Sequence, residues 1–130
     1  MFFVLHILFM TTATLSIIAG VSAAMFFRRG KNWLRINKTL NSSGFSIIAA
    51  GIIMAFIYVS GTGGEHIDGV HPITGLAAFI LALITLLLGF YQFKAKNKLT
   101  VRTTHRWLGR LSLLLLLAAI ILGLKLINII

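Results

Sequence analysis

The sequence predicts an all-α integral membrane protein, a four-helix bundle running up-down-up-down, and three observations support this. Hydrophobic residues make up 58% of the 130 residues, and the mean hydropathy is +1.00. Charged residues account for only 11%, less than half of the roughly one quarter that soluble domains carry. The apolar residues are gathered in four runs, each reaching the roughly 20 residues that a helix needs to cross a hydrocarbon core.

The runs extend from Phe3 to Phe27, Leu40 to Ser60, His71 to Phe93 and His105 to Ile129. Four spans and three short connections use up the sequence, so residues 1–130 are expected to form a single four-helix transmembrane domain. The first span is expected to be retained rather than cleaved. Val21-Ser22-Ala23 passes as a cleavage site, but no positive segment precedes the run. In the third, Pro72 sits where a first helical turn tolerates a missing N–H.

A formal net charge of +10 would suit a nucleic-acid partner, but its distribution argues against one. Arg28, Arg29, Lys31, Arg35 and Lys38 lie between the first two spans. Lys94, Lys96, Lys98, Arg102, Arg106 and Arg110 lie between the last two or at the start of the fourth. The stretch from Gly61 to Val70 has no Lys or Arg and holds both acidic residues, Glu65 and Asp68. Excess Lys and Arg in short connections marks the cytoplasmic side. Both termini are therefore expected on the non-cytoplasmic side, and the basic stretches against anionic lipid. A bacterial inner or plasma membrane is the expected address.

The chain also reads as two similar hairpins. His6 opens the first span and His71 the third; Asn37 stands at the mouth of the second and His105 at that of the fourth. Steps of three and four residues return to one helical face, and each of these polar residues heads a stripe of mostly small ones. The stripes are His71, Gly75, Ala78, Ala82, Thr85, Gly89; His105, Gly109, Ser112, Leu116, Ala119, Gly123; His6, Phe9, Ala13, Ser16, Gly20, Ala23; and Asn37, Asn41, Gly44, Ile48, Gly51, Ala55. Small residues let membrane helices approach closely, and glycine also lets a flat cofactor lie against backbone.

Ionisable residues within a membrane are costly and usually functional. With no cysteine and two carboxylates, both in a connection, a thiolate metal site, a carboxylate di-iron site and an intramembrane carboxylate proton relay have no residues to build them. His6, His71 and His105 remain. His6 and His71 are expected on parallel helices, at one depth on one side, as two imidazoles ligating heme iron would be. Interfacial histidines that only tune packing would look the same in sequence. His66 reads as a solvated histidine of the acidic connection, the alternative being a contact for an electron donor or acceptor at the edge of such a heme. Trp33 and Trp107, among basic residues, read as interfacial anchors.

Three stretches carry a family resemblance. Gly64-Glu65-His66-Ile67-Asp68-Gly69-Val70-His71-Pro72-Ile73-Thr74-Gly75 and His105-Arg106-Trp107-Leu108-Gly109-Arg110-Leu111 each hold a His-x-x-x-Gly motif. Trp33-Leu34-Arg35-Ile36-Asn37-Lys38-Thr39-Leu40-Asn41-Ser42-Ser43-Gly44 is similar to a Trp-x-x-x-His-x-x-Leu-Gln-x-x-Gly segment. Together, from about Leu5 to Ile127, they resemble the four-helix core of the cytochrome b561 family, including forms fused to DOMON and ferric-reductase-like proteins.

The resemblance implies two b hemes, one held between the first and third helices and one between the second and fourth. It gives His6 and His71 to the iron of an outer heme and His105 to that of an inner one. Asn37 departs from the pattern, because it stands where the family has its second-helix histidine. One heme b is therefore expected, with the second open.

The function so implied is a b-type heme electron-transfer protein that relays single electrons at or across the membrane. It would act as an electron-transfer protein or oxidoreductase subunit rather than a stand-alone catalyst. Its donor and acceptor would be separate, a quinone or redox protein subunits, and assembly with its own copies or with other subunits stays open. The alternative is a non-redox four-helix membrane anchor or packing subunit of a larger complex. A transporter is disfavoured, because no charged or broken-helix feature falls at mid-span.

Overall fold

A computed structural model describes residues 1–129. Its four helices are α1, Phe2–Phe26; α2, Trp33–Thr62; α3, Val70–Tyr91; and α4, Lys98–Leu126. All four are long and apolar enough to cross a membrane, which bears out the all-α membrane class expected above. The chain divides into two compact units, Met1–Ile67 and Asp68–Ile130. The first is the α1–α2 hairpin and the second the α3–α4 hairpin.

Two helices begin well before the apolar runs that reveal them. α2 starts seven residues ahead of Leu40, and α4 seven ahead of His105. Hydropathy registers only what hydrocarbon would cover, whereas the helical hydrogen-bond ladder continues into the basic turns. Asn97 caps α4, its side chain accepting from the Thr100 N–H at 3.2 Å. Asn37 and His105 consequently lie inside helices rather than at their mouths. Arg28 lies over the Trp33 ring at 5.9 Å and Arg110 over Trp107 at 5.2 Å, close enough for cation–π attraction.

α2 stops at Gly63, whose φ of 70° is open to glycine at little cost. Its N–H turns back to the Val59 carbonyl, as does that of Gly64. Gly69, with φ of 92°, leads into α3. Pro72 is the third residue of that helix, among the N–H groups that have no intrahelical partner.

Each hairpin is closed by its small-residue stripes. In the first, Ala13, Gly20 and Ala23 of α1 are buried along with Gly44, Ile48 and Gly51 of α2. A Cβ on Gly44 would lie 2.7 Å from Ile17 Cγ1 and 3.2 Å from the Ala13 carbonyl, so here the helices touch backbone to backbone. In the second, Ala78 is buried together with Ser112, Leu116 and Ala119. The outward faces carry exposed Leu8, Leu15, Ile53, Ile80, Leu87 and Leu114, as surfaces bathed in lipid would.

Candidate functional site

The three histidines expected to bind a cofactor share one local arrangement. His6, the fifth residue of α1, places Nδ1 2.8 Å from the Gly51 carbonyl of α2. His71, second in α3, places Nδ1 2.9 Å from the Ala119 carbonyl of α4. His105 reaches in the opposite direction, from α4 to the Thr85 carbonyl of α3, again at 2.9 Å. A carbonyl oxygen can only accept, so each Nδ1 carries the proton and donates. In the neutral form of a ring so tethered the lone pair belongs to Nε2, and that nitrogen is the potential ligand atom in all three.

Asn37 makes the same contact without being a histidine. Its Nδ2 donates to the Gly20 carbonyl of α1 at 2.8 Å. The four hooks superimpose in register. His71 follows His6 by 65 residues and Thr85 follows Gly20 by 65; His105 follows Asn37 by 68 and Ala119 follows Gly51 by 68. The buried seam obeys the same offsets: Ala13 matches Ala78, and Gly44, Ile48 and Gly51 match Ser112, Leu116 and Ala119. The hairpin likeness read from sequence is thus a likeness of hydrogen bonds.

Several glycines of the stripes act differently from their expected part as a bed for a flat cofactor. Gly123 makes room for His71, since a Cβ there would lie 3.0 Å from the ring's Cε1. Gly89 does the same for His105, also at 3.0 Å. They admit a neighbouring imidazole rather than a macrocycle. Gly75 is different: a Cβ on it meets nothing within 4 Å. That leaves it as the glycine whose open face a flat group could use. Sequence reading did not identify the four carbonyl acceptors, because every residue has a carbonyl; only antiparallel pairing of the stripes would have picked them out.

His66 departs from the solvated histidine expected of the connection. Its ring stacks on Phe56 at 4.5 Å between centroids, and Nε2 lies 3.2 Å from Ser60 Oγ. The chain therefore folds back onto the last turns of α2. Nδ1 of His66 is buried with no hydrogen-bond partner among the described residues. α2 holds Asn37 and no histidine, and among the described residues no group of three or more His, Cys, Asp or Glu gathers.

The family model described as eukaryotic cytochrome b561 covers residues 2–129. No curated protein and no solved structure matches significantly. Imidazoles anchored through Nδ1 are of the type that ligates heme iron, the four helices are of membrane-spanning length, and the family match covers nearly the whole chain. The protein belongs to the cytochrome b561 family, membrane proteins that carry heme b and transfer electrons.

Proposed function

We propose that this chain relays single electrons at or across the membrane through one b heme, whose iron His6 and His71 would hold. The supporting observation is their shared tether: in each, Nδ1 donates to a carbonyl of the facing helix, Gly51 for His6 and Ala119 for His71. The tether fixes the ring orientation and the tautomer, and it raises the basicity of Nε2. Heme iron, when bound, supplies the one-electron couple. The Gly75 backbone, where an added Cβ would meet nothing within 4 Å, offers an open face.

His105 has the same tether, so it is equally fit to ligate iron. Asn37 is not, since a carboxamide offers iron no strong nitrogen lone pair, and its N–H is already given to Gly20. On this reading the heme content lies closer to one per chain than two. Both hairpins work as one domain, with the basic connections on the cytoplasmic side. The electron donor and acceptor are separate molecules, a quinone or a redox protein.

The test is a visible spectrum and a pyridine hemochrome assay on the purified protein. Wild type is expected to show a low-spin b-type spectrum and about one heme per chain. His6→Ala or His71→Ala should abolish the low-spin signal, while His105→Ala should leave heme content unchanged. A low-spin signal that survives in either of the first two variants would refute the pair.

A further inference from the structure

Position 37 can be read in two ways. Either the whole Asn37 end of the first hairpin has been rebuilt against a histidine, or only the side chain at 37 has changed. Besides the acceptor, where Gly20 stands for Thr85, three residues there depart from their counterparts in the second hairpin. Asn37 stands for His105, Asn41 for Gly109, and Ala24 for Gly89, by the offsets of 65 and 68 that the four hooks define. Gly89 gives way to the His105 ring, and Asn41 is packed on Gly20, where a Cβ would meet its Nδ2 at 2.6 Å. Taken alone, these changes suggest a site rebuilt throughout.

The other end of the same hairpin provides an internal control. His6 is seated with its hook to Gly51 intact, although Ala55 stands where the second hairpin has Gly123 and Met10 where it has Gly75. This hairpin therefore seats an imidazole with alanine in place of the facing glycine and a larger residue one turn on. Met10 is accommodated just as Asn41 is, by a glycine on the facing helix: a Cβ on Gly51 would lie 3.0 Å from Met10 Sδ. Ala24 and Asn41 are thus no greater obstacle than Ala55 and Met10. The acceptor has not moved, since Gly20 O takes a hydrogen bond from Asn37 at 2.8 Å. Asn41 in turn is held through the Asn37 backbone carbonyl, at 2.8 Å, a bond that does not depend on the side chain at 37.

We infer that position 37 is an intact histidine socket occupied by asparagine, and that this residue alone sets the number of ligated hemes. The inference rests on the heme reading above. The carboxamide Nδ2 holds the place of an imidazole Nδ1, keeping α1 and α2 hooked together while withdrawing the ligand nitrogen. A histidine introduced there would donate to the same carbonyl and present Nε2, as His6, His71 and His105 do.

The experiment compares wild type, Asn37→His, Asn37→His with His105→Ala, and Asn37→His with Asn41→Gly. Heme per chain is read by pyridine hemochrome, low-spin iron by electron paramagnetic resonance, and the number of components by redox titration. The outer heme's low-spin signal serves as the folding control. Asn37→His alone is expected to raise heme from about one to about two per chain and to add a second low-spin, second-potential component. Adding His105→Ala should remove that component. The inference is overturned if Asn37→His stays at one heme, and a rise only with Asn41→Gly would show that the neighbours close the site. It is equally overturned if wild type already holds two, or if Asn37→His loses the outer signal because the socket does not accept the ring. A wild type with no heme instead brings down the functional reading on which the inference depends.

Discussion

The two hairpins keep the same hooks at the same spacing but close their seams with different residues. In the α1–α2 hairpin the contact is made by Gly20, Gly44 and Gly51, with side chains of the opposite helix set directly on them. In the α3–α4 hairpin the matching positions are Thr85, Ser112 and Ala119. Bulk has been exchanged across the seam at both ends: Gly20 faces Asn41 where Thr85 faces Gly109, and Gly51 faces Met10. The α1–α2 hairpin also adds a cross-helix hydroxyl bond, Ser16 Oγ to the Leu40 carbonyl at 2.8 Å, at a position where the second hairpin has Leu81. Packing is therefore free to vary if volume is conserved across the interface. A hook is not free to vary in the same way, because it needs a donor at one helical position and a carbonyl at another.

The largest expected effect breaks the difference in packing. Gly44→Leu puts a side chain where even a Cβ would meet the Ala13 carbonyl at 3.2 Å, and backbone cannot move aside as a side-chain tip can. A loss of about 1–3 kcal/mol is expected, the usual cost of overpacking. Ser112→Ala, at the matching position of the other hairpin, removes only one oxygen and is expected to change stability by less than about 0.5 kcal/mol. Unfolding by SDS titration in mixed micelles measures both. Equal effects at the two positions would mean that the close glycine contact of α1 and α2 is not what holds them.

Much of this was legible in the sequence, and the illegible part has a physical cause. Four spans follow from composition because hydrocarbon selects for apolar side chains along the full width of the membrane. His6, His71, His105 and Asn37 stand out because polar side chains are rare there. The stripes follow from helical periodicity, and each lands on its hairpin seam. The early starts of α2 and α4 were not legible by hydropathy, since a helix leaving the membrane keeps its hydrogen bonds while its side chains turn basic; Asn97 was the cap that could have signalled the second of these. The hooks were hidden because their acceptors are backbone atoms. His66 was misread as solvated because nothing in its neighbouring residues announces a stack on Phe56.

A smaller effect tests whether the Asn37 hook is structural as well as a socket. Asn37→Leu removes the bond to Gly20 but leaves that carbonyl in its own helical ladder, so no group is stranded. Interhelical hydrogen bonds in membranes average about 0.6 kcal/mol, and a loss of about that size is expected in the same SDS titration, with heme content unchanged. The matching His105→Leu should cost a similar amount. A loss beyond about 2 kcal/mol at Asn37 alone would mean that the first hairpin depends on its polar end in a way the second does not.

The smallest expected effect on folding separates packing glycines from a cofactor-facing one. Gly89 and Gly123 are occupied, each by an imidazole, so an added methyl at either must push a ring by a few tenths of an ångström. Gly75 has nothing within 4 Å of a Cβ, so Gly75→Ala costs no contact and gains the helix preference of alanine over glycine, at most about 1 kcal/mol. Heme-free protein should therefore be as stable as wild type or slightly more so. A loss in the low-spin signal of that variant is then expected from the bound macrocycle meeting the new methyl, because no side chain of its own hairpin is there to be disturbed. Met10 occupies the matching place in the first hairpin with its sulfur turned toward Gly51, so Met10→Ala opens space instead of filling it and should not reproduce the effect. If Gly75→Ala leaves heme affinity intact, the glycine of this His-x-x-x-Gly motif does not face the cofactor. Its recurrence after His105 would then reflect packing, as the 3.4 Å approach of Thr85 Cγ2 to a Cβ on Gly109 already suggests for that copy.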